Sequence, residues 1–217
     1  MAEKNVKDPI DKSLIIVIII VVFILIGVII AIPLIYVNGR DQGESIGQNL
    51  TNISTGYVKN ECTQTMKDVK PITYLSNEEP FPYKFHSYLY RPSVILKKVA
   101  LIFGFNHDNN SWSLDFIKFV DTTTKSDLIR DGNFEENYLR KYYYQCILSN
   151  TRSSISDILF DIPYEQDFYY NDQTKVGMTY LIQNIDVIGG RYYNISFYLE
   201  NRGYPGNYFV LLVGPLN

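Results

Sequence analysis

The chain has 217 residues, 46% of them hydrophobic and 15% aromatic, with 19 Tyr, 12 Phe and only Ala2, Ala31 and Ala100 as alanines. So little of the best helix former beside so many strand formers excludes a soluble helical bundle. Twenty Lys plus Arg against 23 Asp plus Glu give a formal charge of -3, without the cationic surplus that neutralises phosphates, which disfavours a nucleic-acid partner.

In chain order, the first element is an uncharged run of 24 residues, 14–37, interrupted by Gly27 and Pro33. At about 1.5 Å per residue it is long enough to cross a hydrocarbon core of about 30 Å, and longer than the apolar region of a signal peptide. Lipid enforces helix on its Ile and Val because every backbone group must bond internally there. Lys4, Lys7 and Lys12 precede the run, whereas only Arg40 follows it before Lys59. The positive-inside rule therefore predicts a cytoplasmic tail over 1–13, a single transmembrane helix over 14–37 and an extracellular or lumenal remainder, a type II membrane protein with the bilayer as partner. Residues 38–56 are polar, glycine-containing and without period, the pattern of a tether, and 57–217 are long enough for one sandwich. Sequons at Asn49, Asn52, Asn109 and Asn194 all fall on the outer side and are expected acceptors of N-glycans. The two cysteines, Cys62 and Cys146, also lie there; in an oxidising compartment they either pair or remain two buried thiols, and spacing does not decide which.

Beyond the tether, short apolar runs punctuated by turn residues predict an antiparallel sandwich, all-β. Strands are expected over 83–90, 94–105, 112–120, 127–130, 142–148, 156–162, 178–187, 192–199 and 208–213. Gly189 and Gly190, and residues 108–111, are expected to close hairpins, and residues 201–206 to connect the last two strands. Within 192–199, Tyr193, Ile195, Phe197 and Leu199 alternate with Tyr192, Asn194, Ser196 and Tyr198, so the first set should face the core.

Three stretches, ALIFGFNHDNNSWSLDFIKFVD, DLIRDGNFEEN and LIQNIDVIGGRYYNISFYLEN, together resemble the galactose-binding-like jelly roll of carbohydrate-binding modules over residues 81–214. The family's last strand, here 112–120, stands before its first, here 127–135. The resemblance therefore implies a circularly permuted sandwich or a remnant of a tandem array, and closure of one permuted sandwich leaves fewer open edges. It also implies a jelly roll that takes sugars on aromatic faces and polar side chains, in some members with a structural calcium. Tyrosine suits sugars because its ring stacks on C–H faces while its hydroxyl bonds to theirs. Tyr143, in the run Tyr142, Tyr143, Tyr144, and Tyr169, Tyr170 and Tyr204, in expected loops, are the candidates, against core packing as the alternative role. Asp115 and Glu135 stand at positions that resemble the family's acidic calcium ligands, while Phe116 replaces a second carboxylate.

The chain carries no G-x-G-x-x-G, Walker A, H-E-x-x-H or G-x-S-x-G sequence, and His86 and His107 lack metal-ligand spacing. The expectation is a non-catalytic, membrane-anchored jelly roll that binds glycans or glycoproteins. The alternatives are a structural or adhesive ectodomain that contacts proteins without binding sugar, and a membrane-anchored glycoside hydrolase.

Overall fold

The structure, a computed structural model, describes residues 60–216 except 65, 67 and 68. The chain divides into two compact units, 1–52 and 53–217, and every described residue lies in the second. The expected membrane span at 14–37, the tail, the tether and the sequons at Asn49 and Asn52 lie outside the described residues. Among the described residues no helix is long and apolar enough to cross a membrane.

Ten strands follow in order: β1 (Lys70–Ser76), β2 (Phe81–Tyr90), β3 (Lys98–His107), β4 (Trp112–Asp121), β5 (Tyr144–Ile147), β6 (Arg152–Leu159), β7 (Tyr169–Val176), β8 (Thr179–Asp186), β9 (Tyr193–Asn201) and β10 (Asn207–Pro215). They form two five-stranded sheets, β1-β10-β3-β8-β5 and β2-β9-β4-β7-β6, with every pairing antiparallel. Apart from β6 and β7, each strand passes to the opposite sheet from its predecessor. The eight strands other than β5 and β6 have jelly-roll order, and β5 and β6 each widen one sheet at one edge.

The burial pattern explains this architecture. In β9, Tyr193, Ile195, Phe197 and Leu199 are all buried, the alternation expected of a strand with one core face. Between the sheets Phe197 lies 5.3 Å from Phe103 and 5.7 Å from Phe209. Trp112 is fully buried there, and its indole N–H donates to the Asn106 carbonyl at 2.9 Å, so its polar edge is satisfied. Each such side chain contributes roughly 1.5–3 kcal/mol by leaving water. β3 is different, because it is buried on both faces. On its outer side Ala100 and Ile102, with Tyr180, Ile182, Val210 and Leu212, form a second apolar cluster covered by Cys62 and Met66. The segment bearing these residues is fastened to β5 by the Cys62–Cys146 disulfide, with Cα atoms 5.7 Å apart.

Several sequence expectations are corrected by this fold. The turns at Gly189 and Gly190 and at 108–111 close no hairpins: each carries the chain from one sheet to the other, as the connection at 201–206 between β9 and β10 also does. Tight turns with apolar flanks look alike in sequence whether the strands pair beside or across the core, since both faces of a sandwich bury the same residue types. Residues 127–135, expected to be the family's first strand, form an irregular loop with one isolated bridge, Val120 to Asp127. Asp131 and Phe134 adopt positive φ there, 53° and 59°, which ends regular pairing. The two sheets accordingly close as one sandwich in jelly-roll order and not as two half-units. β1 and β7 were not expected as strands; β7 places Tyr169 and Tyr170 at its start rather than in a loop. The expected strand over 142–148 contracts to β5, because Leu139–Lys141 is a 3-10 turn.

Candidate functional site

β5 pairs with β8 only from Thr179 to Ile182, so the next residues of β8, Gln183–Asp186, have a free outer edge. Two loops flank that edge. On one side the Gln183 side chain donates to the Arg130 carbonyl and accepts from the Arg130 N–H, both at 2.9 Å, which fixes 127–130. On the other side the 3-10 turn buries Leu139 and swings Tyr142, Tyr143 and Tyr144 into line. The result is an open groove of about 630 Å³ lined by Arg130, Arg140, Lys141, Tyr142, Tyr144 and Lys98 among others.

Its chemistry is aromatic and cationic. Tyr144 is 63% exposed. The Tyr142 hydroxyl donates to Glu136 Oε1 at 2.9 Å, and the Lys141 ammonium lies 4.9 Å from the Tyr142 ring centroid while pairing with Glu136. The Glu136 carboxylate holds the Lys141 ammonium above its ordinary pKa, so it stays charged at every physiological pH. Lys98 pairs with Asp186 at 3.4 Å. Asp127, the other acid of the lining, has its Oδ1 occupied by the N–H groups of Phe119 and Ile129. Among the described residues Arg130 and Arg140 form no ion pair, leaving two uncompensated guanidiniums with donor forks turned to solvent.

The expected sugar-binding tyrosines are not brought together. Tyr143 is buried with its ring 5.4 Å from Phe134 and its hydroxyl donating to the Asp131 carbonyl at 3.2 Å. It underlies the groove and helps shape it. Tyr170 is a core residue between Phe105 and Phe134, and burial raises its phenol well above the usual pKa. Tyr169, its neighbour in β7, is buried outside that core cluster, its hydroxyl donating to Asp161 and accepting from Arg202 at 3.1 Å, with the guanidinium carbon 5.0 Å above the ring. Tyr204 is 71% exposed in the β9–β10 connection. The groove's own exposed ring, Tyr144, is adjacent to Tyr143 in sequence; its signal was the alternation of the tyrosine run, in which one ring must face out when the next faces in.

The two acidic candidates share a different partner, the loop 160–168 that joins β6 to β7. Fully buried Asp115 accepts from the Phe116 N–H at 2.7 Å through Oδ1, and from the N–H groups of Tyr164 and Glu165 at 3.0 and 3.4 Å through Oδ2. Glu135 Oε1 accepts from the N–H groups of Asp167 and Phe168, both at 3.0 Å. The ring of Tyr164 in this loop stacks on Tyr198 at 3.5 Å. Burial pushes the Asp115 carboxyl up to about 7 against these donors. Such a donor set does not fit calcium, because oxygens aimed at N–H groups present protons where the cation would sit; among the described residues no cluster of three His, Cys, Asp or Glu could hold a metal.

Of the two described sequons, Asn109 is exposed in the β3–β4 turn, whereas Asn194 lies within β9 and accepts from the Ser87 hydroxyl at 2.8 Å. No protein-family model, curated protein or solved structure matches this chain, and the β-sandwich of jelly-roll order is the extent of the likeness to the galactose-binding-like modules.

Proposed function

We propose that the chain is a non-catalytic jelly-roll binding module, displayed on the outer side of a membrane by a type II anchor at 14–37, and that it takes glycans or glycoproteins in the groove beside β8. The observation that carries this reading is the exposed Tyr144 ring facing the same open groove as the unpaired Arg130 and Arg140. An exposed ring offers a face for sugar C–H groups, and guanidinium forks in the same groove can donate to hydroxyl or carboxylate oxygens. The bilayer, not the groove, would hold the protein in place, so a weak and multivalent glycan contact suffices.

The test is a glycan array probed with the full-length chain. Specific binding competed by the free sugar is expected, and Tyr144→Ala or Arg140→Ala should weaken it about tenfold, the effect of removing one stacking or charged contact. A blank array, or binding indifferent to both substitutions, would overturn the reading. Capture of a protein ligand unaffected by any free sugar would replace it with an adhesive role.

A further inference from the structure

One end of the sandwich carries three loops, 91–97, 121–126 and 187–192, welded to one another by backbone bonds. The Gly190 N–H donates to the Pro92 carbonyl at 3.0 Å, the Val187 N–H to the Lys97 carbonyl at 2.9 Å, and the Thr122 N–H to the Tyr192 carbonyl at 3.0 Å. Arg191 pairs with Asp121 at 2.9 Å, and Arg91 Nε donates to the Gly190 carbonyl at 2.9 Å. Gly189 permits the close approach, since a Cβ there would stand 2.4 Å from the Val94 carbonyl oxygen. The loops therefore form a rigid tip.

That tip holds large apolar side chains out in water. Val94 is 74% exposed and Ile95 81%, with Ile188 at 54% and Tyr192 at 46%. Val94 rests part of its side chain beside the backbone of Gly190, and two consecutive aliphatics so exposed at a loop apex fill no core. Around them stand the cations Arg91, Lys97 and Lys125, none ion-paired among the described residues, while Asp121 and Asp186 are already occupied by Arg191 and Lys98. The Arg91 guanidinium lies 5.1 Å from the Tyr192 ring centroid, an aromatic and a cation side by side in the same cluster of loops.

We infer that this tip is a lipid-contacting surface: Val94, Ile95 and Ile188 enter the boundary between headgroups and acyl chains, while Tyr192, Arg91 and Lys97 lie against the headgroup phosphates. An apolar apex with an aromatic and cationic collar matches the layering of a bilayer surface, apolar below and anionic above. A protein partner would need a broad face of complementary shape, whereas this apolar surface is confined to loop apices. Because the loops are fixed before contact, docking orders little new chain.

The experiment uses the full-length Ile95→Trp chain mixed with vesicles of four parts phosphatidylcholine to one part phosphatidylserine, with brominated acyl chains as quenchers. Native Trp112 is fully buried, so its emission is a constant background that the brominated chains do not quench. The introduced indole is expected to lose about half its emission or more and to shift to the blue, given a depth of about 5–10 Å; a Tyr204→Trp chain, labelled at the far end of β9, should not respond. Adding Arg91→Glu and Lys97→Glu should reverse most of the quenching. No quenching at position 95, or equal quenching at both positions, would overturn the proposal. Blue-shifted emission that depends on protein concentration and not on lipid would assign the tip to a second copy of the chain instead, and would equally overturn it.

Discussion

Asp115→Asn tests the electrostatics of the loop clamp directly. The Asp115 carboxyl has no exposure, and burial raises its pKa from 3.8 to about 7 even though three N–H groups point at it. A group that binds its proton more tightly in the folded state gives stability that is complete below the unfolded pKa and is lost as pH rises through the folded one. Three pH units at about 1.4 kcal/mol each put the loss at roughly 4 kcal/mol between pH 4 and pH 7–8. Asparagine cannot ionise. It also turns an N–H toward the Phe116 amide, an offset of about 1–3 kcal/mol that does not vary with pH. Urea midpoints for both proteins at pH 4, 5.5, 7 and 8 are expected to show wild-type stability falling relative to Asp115→Asn as pH rises. His86 acts with the opposite slope: burial against Phe197 lowers it to about 4, so it removes stability as pH falls below about 6.5. Asp172, raised to about 6 by burial, slopes with Asp115. Both are present in each protein and cancel in the difference. Parallel curves, or a variant that gains on wild type as pH falls, would refute the reasoning.

Replacing Cys62 and Cys146 together by serine opens a link spanning 84 residues and is expected to remove about 4–5 kcal/mol in guanidinium unfolding, on the chain-entropy account; a loss below about 1 kcal/mol would show that the segment over the second apolar cluster holds without it. Asn171 is fully buried on β7, and neither its amide nitrogen nor its amide oxygen has a hydrogen-bond partner. Asn171→Val should therefore be neutral or stabilising by up to about 2 kcal/mol in the same assay, since no bond is lost and a desolvated amide is removed. A clear destabilisation would mean that the amide makes a bond beside its strand partners Ser113 and Asp157 that the substitution removes.

Much of the sandwich was legible locally. The inward set Tyr193, Ile195, Phe197 and Leu199 follows from period-two alternation, and the core set is buried as expected. Trp112, Phe103 and Phe209 likewise belong to runs too apolar to lie outside. β1 and β7 were hidden for separate reasons. KPITYLS contains a proline and little apolar alternation, which suits an edge strand and resembles a loop. YYNDQTKV carries polar residues such as Asn171 and Asp172 that are fully buried, contrary to their ordinary preference. The groove itself was not legible: the tyrosine run pointed to Tyr143, which is buried, while Arg130, Arg140 and the free edge of β8 meet only because β8 pairs with β5 no further than Ile182.

The amino-acid sequence by itself determined the all-β class of the described region and the face that β9 turns inward, because both depend on residues one or two positions apart. It also marked 14–37 as a run of membrane-spanning length, on composition alone. Only the tertiary structure decided the rest, whose interactions are long-range. Whether Gly189 and Gly190 turn a hairpin or cross the core depends on which strand, up to more than a hundred residues away, completes each sheet, as β1 completes the first against β10. Whether Asp115 and Glu135 hold a cation or a loop depends on 160–168 arriving with its N–H groups toward them. A carboxylate has the same identity in either setting; its neighbours in space decide which charge it meets.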